Sequence, residues 1–157
     1  MNCKTSDFPL TLLKLINANR KQQFTGVGIV FYNDLQFLPV AELGSTATPK
    51  PPLPVSQIDT IARTLAVLSD LQSPWHDGFH LINSDSQALT HISQFLAPPL
   101  DHLPDNKSPR PFGARLMTAM LSSMVIGIDC IGVLNMSGDI IIYKNGKVST
   151  KAATPHE

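Results

Sequence analysis

The chain reads as a mixed α/β or α+β domain, one central sheet flanked by helices, and three observations predict this. Its 157 residues allow one domain with a sizeable core and hardly two. Hydrophobic residues make up 43%, an ordinary globular share, so most of the chain is expected to be folded. Helical and strand-like stretches alternate, and the last third closes on hairpin signals. A single domain over residues 1–157, with a polar tail from about 149, is the expected organisation.

The elements follow in order. A first helix opens at Phe8, with Asp7 as a possible cap and Leu12, Leu13, Leu15 and Ile16 as an apolar stripe. It runs into the polar stretch Asn17 to Gln23. Thr25 to Tyr32 reads as a strand, followed by the turn residues Asn33 and Asp34. Phe37 to Val40 is a second extended piece, which Pro39 would confine to an edge or make irregular. GSTATPKPPLP, Gly44 to Pro54, is an exposed connection. The clearest helix comes next: Ser56 can cap it with Asp59 at capping-box spacing. Ile58, Ile61, Ala62, Leu65 and Leu68 recur at helical spacing, so one face packs on a sheet.

After WHDG, Phe79 to Asn83 is a strand, Ser84 to Ser86 turns the chain, and Leu89 to Leu96 is a further strand. Pro98 to Pro111 is a second proline-rich loop. Gly113 to Val125 reads as a helix apolar nearly all round, hence buried. Cys130 to Asn135 and Asp139 to Tyr143 are strands joined by a hairpin at Met136-Ser137-Gly138. Asn145-Gly146 marks another turn before the polar tail from Ser149. There is no internal repeat.

Charge narrows the function classes. Only 15% of residues are charged, and 12 Lys+Arg balance 12 Asp+Glu. A neutral surface argues against nucleic acid, which needs clustered basic charge, and gives weak electrostatic protection against self-association. Cys3 and Cys130 are read as isolated thiols rather than a disulfide or metal pair. No basic-then-apolar leader precedes the first helix, and no apolar run approaches the ~18–20 residues of a membrane span. A cytoplasmic protein without membrane contact is expected.

The pattern becomes more specific from Gly113 onward. GARLMTAMLSSMVIGIDCIGVLNMSGDIIIYKNGKV, with Asp77-Gly78-Phe79 upstream, resembles the second half of a diadenylate cyclase (DAC) domain. Asp77-Gly78-Phe79 stands for that family's DGA motif, Gly113 to Met117 for GTRHR, and Ser123-Met124 for Ser-Glu. The resemblance implies a DAC-like fold in which Asp77 positions a hydroxyl and a metal, Mg²⁺ or Mn²⁺, if the chain is catalytic. It implies phosphate binding around Gly113, Ala114 and Arg115, with Ser123 beside them. This chain keeps Asp77, Gly78, Gly113, Arg115 and Ser123. It has Ala114 for Thr, Leu116 and Met117 for His and Arg, and Met124 for the acidic metal ligand.

A thioether in place of a carboxylate removes the hard oxygen donor that Mg²⁺ or Mn²⁺ requires. What the resemblance implies is therefore a catalytically impaired sensor that binds a nucleotide or cyclic dinucleotide and requires no cofactor. It also implies a homo-oligomer, with output through a possible protein partner. The alternatives are an active cyclase using a replacement acid, Asp129 or Asp101, or a structural module without ligand.

Each residue also has a plainer reading. Asp77-Gly78 is ordinary turn chemistry before a strand. Arg115 in a first helical turn is poorly placed for the helix dipole, so a bound anion or a carboxylate partner would explain it. Phe79 could stack on a base or fill the core. His76 and His80 bracket Asp77; His80 could face a ligand or be a satisfied core histidine, and a zinc site lacks a third ligand. Met117, Met120 and Met124 make a packing face or a self-association surface.

Overall fold

The computed structural model describes residues 7–44, 48–103 and 109–154. Within them lie α1 (Phe8–Ala18), β1 (Val27–Tyr32), β2 (Val40–Glu42), α2 (Ile58–Leu68), β3 (Phe79–Asn83), β4 (Ala88–Leu96), a short 3₁₀ turn (Leu100–His102), α3 (Ala114–Ser122), β5 (Ile128–Leu134), β6 (Ile140–Lys144) and β7 (Lys147–Ala152). Cys3, residues 45–47 of the first proline-rich connection and residues 104–108 of the second lie outside the described residues.

The strands form one mixed sheet in the order β2-β4-β3-β1-β5-β6-β7. β1 is central: all six of its residues are buried, and it pairs parallel with β3 and antiparallel with β5. A strand buried on both faces reads as a continuous apolar run, and VGIVFY is one. Along β1 the side chains alternate between two cores. Ile29 and Phe31 join Leu12, Leu13 and Ile16 of α1 and Ile61, Ala62 and Leu65 of α2. Val30 and Tyr32 join Ala119, Met120 and Leu121 of α3 on the opposite face. The sheet is thus covered by α1 and α2 on one side and by α3 on the other.

Several expectations change in detail. β2 begins directly after Pro39 and is an edge strand, as a proline requires. α2 starts one residue later than the Ser56 cap predicts. Its cap position is Gln57, with no side-chain cap bond, and Asp7 likewise holds the cap position of α1 without one. α3 is less buried than expected, with complete burial only over Ala119 to Ser122. It stops at Ser122 because Met124 N–H and Val125 N–H turn back to Leu121 and Ser122 carbonyls, three residues away.

The largest correction is the polar tail: Lys147 to Ala152 is a seventh strand, paired antiparallel with β6. Asn145 and Gly146, at φ 52 and 78, make the two-residue turn that joins them. The strand escapes the apolar pattern because it is an edge, with most of its side chains exposed and two lysines among them.

One close contact lies between the two parallel strands. Gly28 of β1 is in register with Phe79 of β3, and a Cβ on Gly28 would lie 2.6 Å from the Phe79 ring. Gly28→Ala is expected to destabilise the fold by about 1–3 kcal/mol through overpacking. In a Phe79→Leu background the same change should cost about 0.5 kcal/mol or less, because the ring edge it strikes is gone. Equal costs in both backgrounds, measured by urea unfolding, would show that the ring is not what excludes a side chain there.

Candidate functional site

Because β1 and β3 are parallel, they begin at the same end of the sheet, here called the upper end. Thr25-Gly26 leads into β1 there, and Asp77-Gly78 leads into β3. The start of α3 reaches the same place: Arg115 Nη1 donates to the Thr25 carbonyl at 3.1 Å. Gly26 makes that approach possible, since a Cβ on it would lie 2.6 Å from Arg115 Nη1 and its φ is +90°. Thr25 is itself fixed, its backbone N–H and hydroxyl both donating to the Ser69 carbonyl at the end of α2. Thr25 and Gly26 were not legible as site residues. The sequence reading takes both into the strand, which in the structure starts only at Val27.

Asp77-Gly78 is a turn with a specific geometry. Gly78 has φ +79°, and an added Cβ would sit 2.6 Å from the Gln94 carbonyl oxygen. The turn is held from β4, where Ser93, at φ 50°, interrupts the register with β3. Ser93 Oγ donates to the Asp77 carbonyl at 2.8 Å, and Ser93 N–H donates to His80 Nδ1 at 3.1 Å. Nothing in the sequence marks Ser93, a serine in mid-strand. Asp77 directs its carboxylate outward, 73% exposed and 3.6 Å from His76 Nε2.

The charges at this end act on one another. Partial burial lowers the pKa of Arg115 from its usual value, and the Asp77 carboxylate opposes that shift by favouring the charged guanidinium. His80, 1% exposed, is pushed down to about 4, first by burial and then by the charge of Arg115. It is a neutral core histidine whose Nδ1 accepts the Ser93 N–H.

The predicted site residues therefore divide. Asp77, Gly78, Gly113, Ala114 and Arg115 gather at the upper end, Gly113 and Ala114 exposed at the start of α3. Phe79 is 6% exposed and packs in the core against Gly28, which makes it a filling residue. Ser123 lies eight residues along α3 from Arg115, roughly 12 Å at 1.5 Å per residue. It is buried, its Oγ donating to the Met120 carbonyl and accepting the Gly146 N–H at 2.8 Å. Its hydroxyl is used in tying α3 to the β6–β7 turn.

The replacement acids fare differently. Asp129 sits at the lower end, where Cys130 pairs with Phe31, and its Oδ1 accepts from Asn33 Nδ2 at 2.6 Å. Asp77 lies beyond the first residue of β1, more than four register positions away, on the order of 15 Å. Asp129 cannot share a metal with it. Asp101 is exposed in the 3₁₀ turn that follows β4. Among the described residues no three His, Cys, Asp or Glu side chains converge. One exposed carboxylate does not fit the oxygen-rich shell of Mg²⁺ or Mn²⁺. The His76 and His80 pair does not fit zinc either: His80 Nδ1 accepts the Ser93 N–H, which leaves the proton of the neutral ring on Nε2, and among the described residues no third ligand converges with them.

Comparison with solved structures decides the fold. A diadenylate cyclase, DacA from Staphylococcus aureus solved as a double mutant, matches over 96% of this chain and 89% of its own, at 15% identity and a TM-score of 0.58. The fold is DAC-like. A hypothetical membrane spanning protein from Bacillus cereus matches over 95% of this chain at 19% identity, also with a TM-score of 0.58. The present chain spans 64% of that structure. No family model matches the sequence, and no curated protein matches it. Among the described residues, no helix of this DAC-like domain is long and apolar enough to cross a membrane.

The buried His80 sets an acid limit on the fold. Its folded pKa of about 4 lies below the usual 6.5, so the unfolded chain binds its proton more readily. The stabilisation is complete above pH 6.5 and is lost as pH falls toward 4, by roughly 3 kcal/mol. His91, lowered by burial and by Lys50, adds in the same direction. Urea unfolding across this range should show a clearly shallower loss for His80→Asn. An unchanged loss would assign the acid sensitivity to other groups.

Proposed function

We propose that this DAC-like domain binds a nucleotide or cyclic dinucleotide through its phosphates and does not turn it over. The observation that carries this reading is Arg115. It is a half-buried guanidinium in the first turn of α3, where the helix dipole disfavours a cation. A guanidinium has five N–H donors, and the Thr25 carbonyl takes one of them. Among the described residues no carboxylate lies within ion-pair distance of it. A phosphate at this point would meet Arg115 together with the free N–H groups that open a helix, beside the exposed Gly113.

Absence of turnover is supported by the residues at the positions where the resemblance expects phosphate- and metal-binding groups. Leu116, Met117 and Met124 pack against the α3-side core, and the Met124 thioether lies against Gly146 at the lower end. A second reading, a partner-binding module without ligand, is favoured by Phe79 and Met117, which fill space on that same side of the sheet.

Incubation with mixed nucleotides plus Mn²⁺ or Mg²⁺, followed by mass spectrometry of free products and bound species, separates the readings. The expected outcome is a bound nucleotide or cyclic dinucleotide without product. Arg115→Ala should weaken it tenfold or more, the loss of charge-assisted hydrogen bonds worth about 1.5–3 kcal/mol. A cyclic dinucleotide product abolished by Asp77→Asn would instead establish a cyclase. Neither ligand nor product would leave the partner-binding reading.

A further inference from the structure

A cavity lies at the lower end of the sheet, on the face covered by α1 and α2. It encloses about 460 Å³, within the usual range for small-molecule sites. Among the described residues, α1 begins at Phe8 and roofs this end of the sheet only in part. Beyond its first turn Phe31 of β1, Cys130 of β5 and Ile142 of β6 form a floor, with Phe8 as a side wall. The Phe8 and Phe31 rings meet edge to face, their centroids 6.2 Å apart. The rim is polar: Asp129 and Asp7 supply carboxylates and Lys144 an ammonium. Nothing proposed for the upper end uses any of these groups.

From this lining we infer that the cavity binds a small, planar heteroaromatic molecule, uncharged, with a hydrogen-bond donor and an acceptor on one edge. An apolar floor that includes the Phe31 ring, with the Phe8 ring beside it, suits a ring system. Asp129 is an acceptor for the donor on that edge, and Lys144 a donor for the acceptor. Two carboxylates against one ammonium disfavour a phosphate or carboxylate ligand, which sets this site apart from the one around Arg115. Cys130 contributes as an apolar surface: its thiol is pushed up to about 12, mainly by burial and further by Asp129, with Lys144 opposing, so it stays protonated and unreactive.

The test uses the full chain and quinazolin-4-one, a neutral bicycle with an N–H and a carbonyl on one edge, followed by ¹H–¹⁵N chemical shifts. Shifts are expected at Leu10, Asp129, Cys130 and Lys144, with affinity reduced at least tenfold for 1-methylindole, which lacks that edge. Cys130→Trp, which plugs the floor, should abolish the shifts. Thr150→Trp, which plugs the cavity from the half-buried edge of β7, should do the same if the first variant does not fold. Arg115→Ala should leave the affinity unchanged. No shift up to millimolar ligand, shifts that survive a folded plugging variant, or shifts confined to the surroundings of Arg115 would each overturn the inference.

Discussion

Everything at the candidate site depends on β1 and β3 running in the same direction. Parallel pairing puts the starts of both strands at one end of the sheet, so Thr25-Gly26 and Asp77-Gly78 become neighbours although about fifty residues separate them. Antiparallel pairing would send Asp77 to the far end, beside Asn33 and Asp129. The same constraint explains why α2 exists where it does. A parallel pair needs a crossover long enough to return the chain to the starting end, and α2 is that crossover. Its last turn then anchors Thr25 through the Ser69 carbonyl, so the connection also positions the site.

What was legible in the sequence follows from where apolar pattern and special chemistry coincide. β1, β3, β5 and α2 are strongly patterned because they face one or two cores, and each was readable within a few residues. β7 was not, because an edge strand with polar side chains on both faces carries no period, even though its Asn-Gly turn was plain. Of the site, Asp77, Gly78 and Arg115 could be singled out by residue type. Their partners could not: Gly26, Thr25 and Ser93 act through backbone position, a positive φ or a carbonyl, which a residue name does not advertise. Ser123 was misplaced for a related reason, since a motif read along a helix says nothing about which end of the sheet each residue reaches.

Two neutralised side chains show how the fold treats polarity near its cores. His80 is buried with its Nδ1 accepting a backbone N–H, and Cys130 is partly buried beside opposite charges, yet each is held in its uncharged form. Burial penalises the charged state in both cases, which lowers a base and raises an acid. Arg115 is the exception, because a guanidinium cannot shed its proton at any ordinary pH. The charge therefore persists, half-buried, at the one helix end where it is least welcome.

The hydrogen bonds of Ser123 give α3 two unlike ends. Its last turn is fastened to the β6–β7 hairpin through a single hydroxyl that bonds both the helix and Gly146. Its first turn opens from Gly113, which is exposed, has φ +97° and has nothing within 4 Å of the place a side chain would occupy. The first turn is tied differently, by the Arg115 side chain to the Thr25 carbonyl at the entry of β1. A hydroxyl thus fastens α3 to the hairpin at one end and a guanidinium fastens it to the parallel pair at the other, with Gly113 open to solvent between helix and loop.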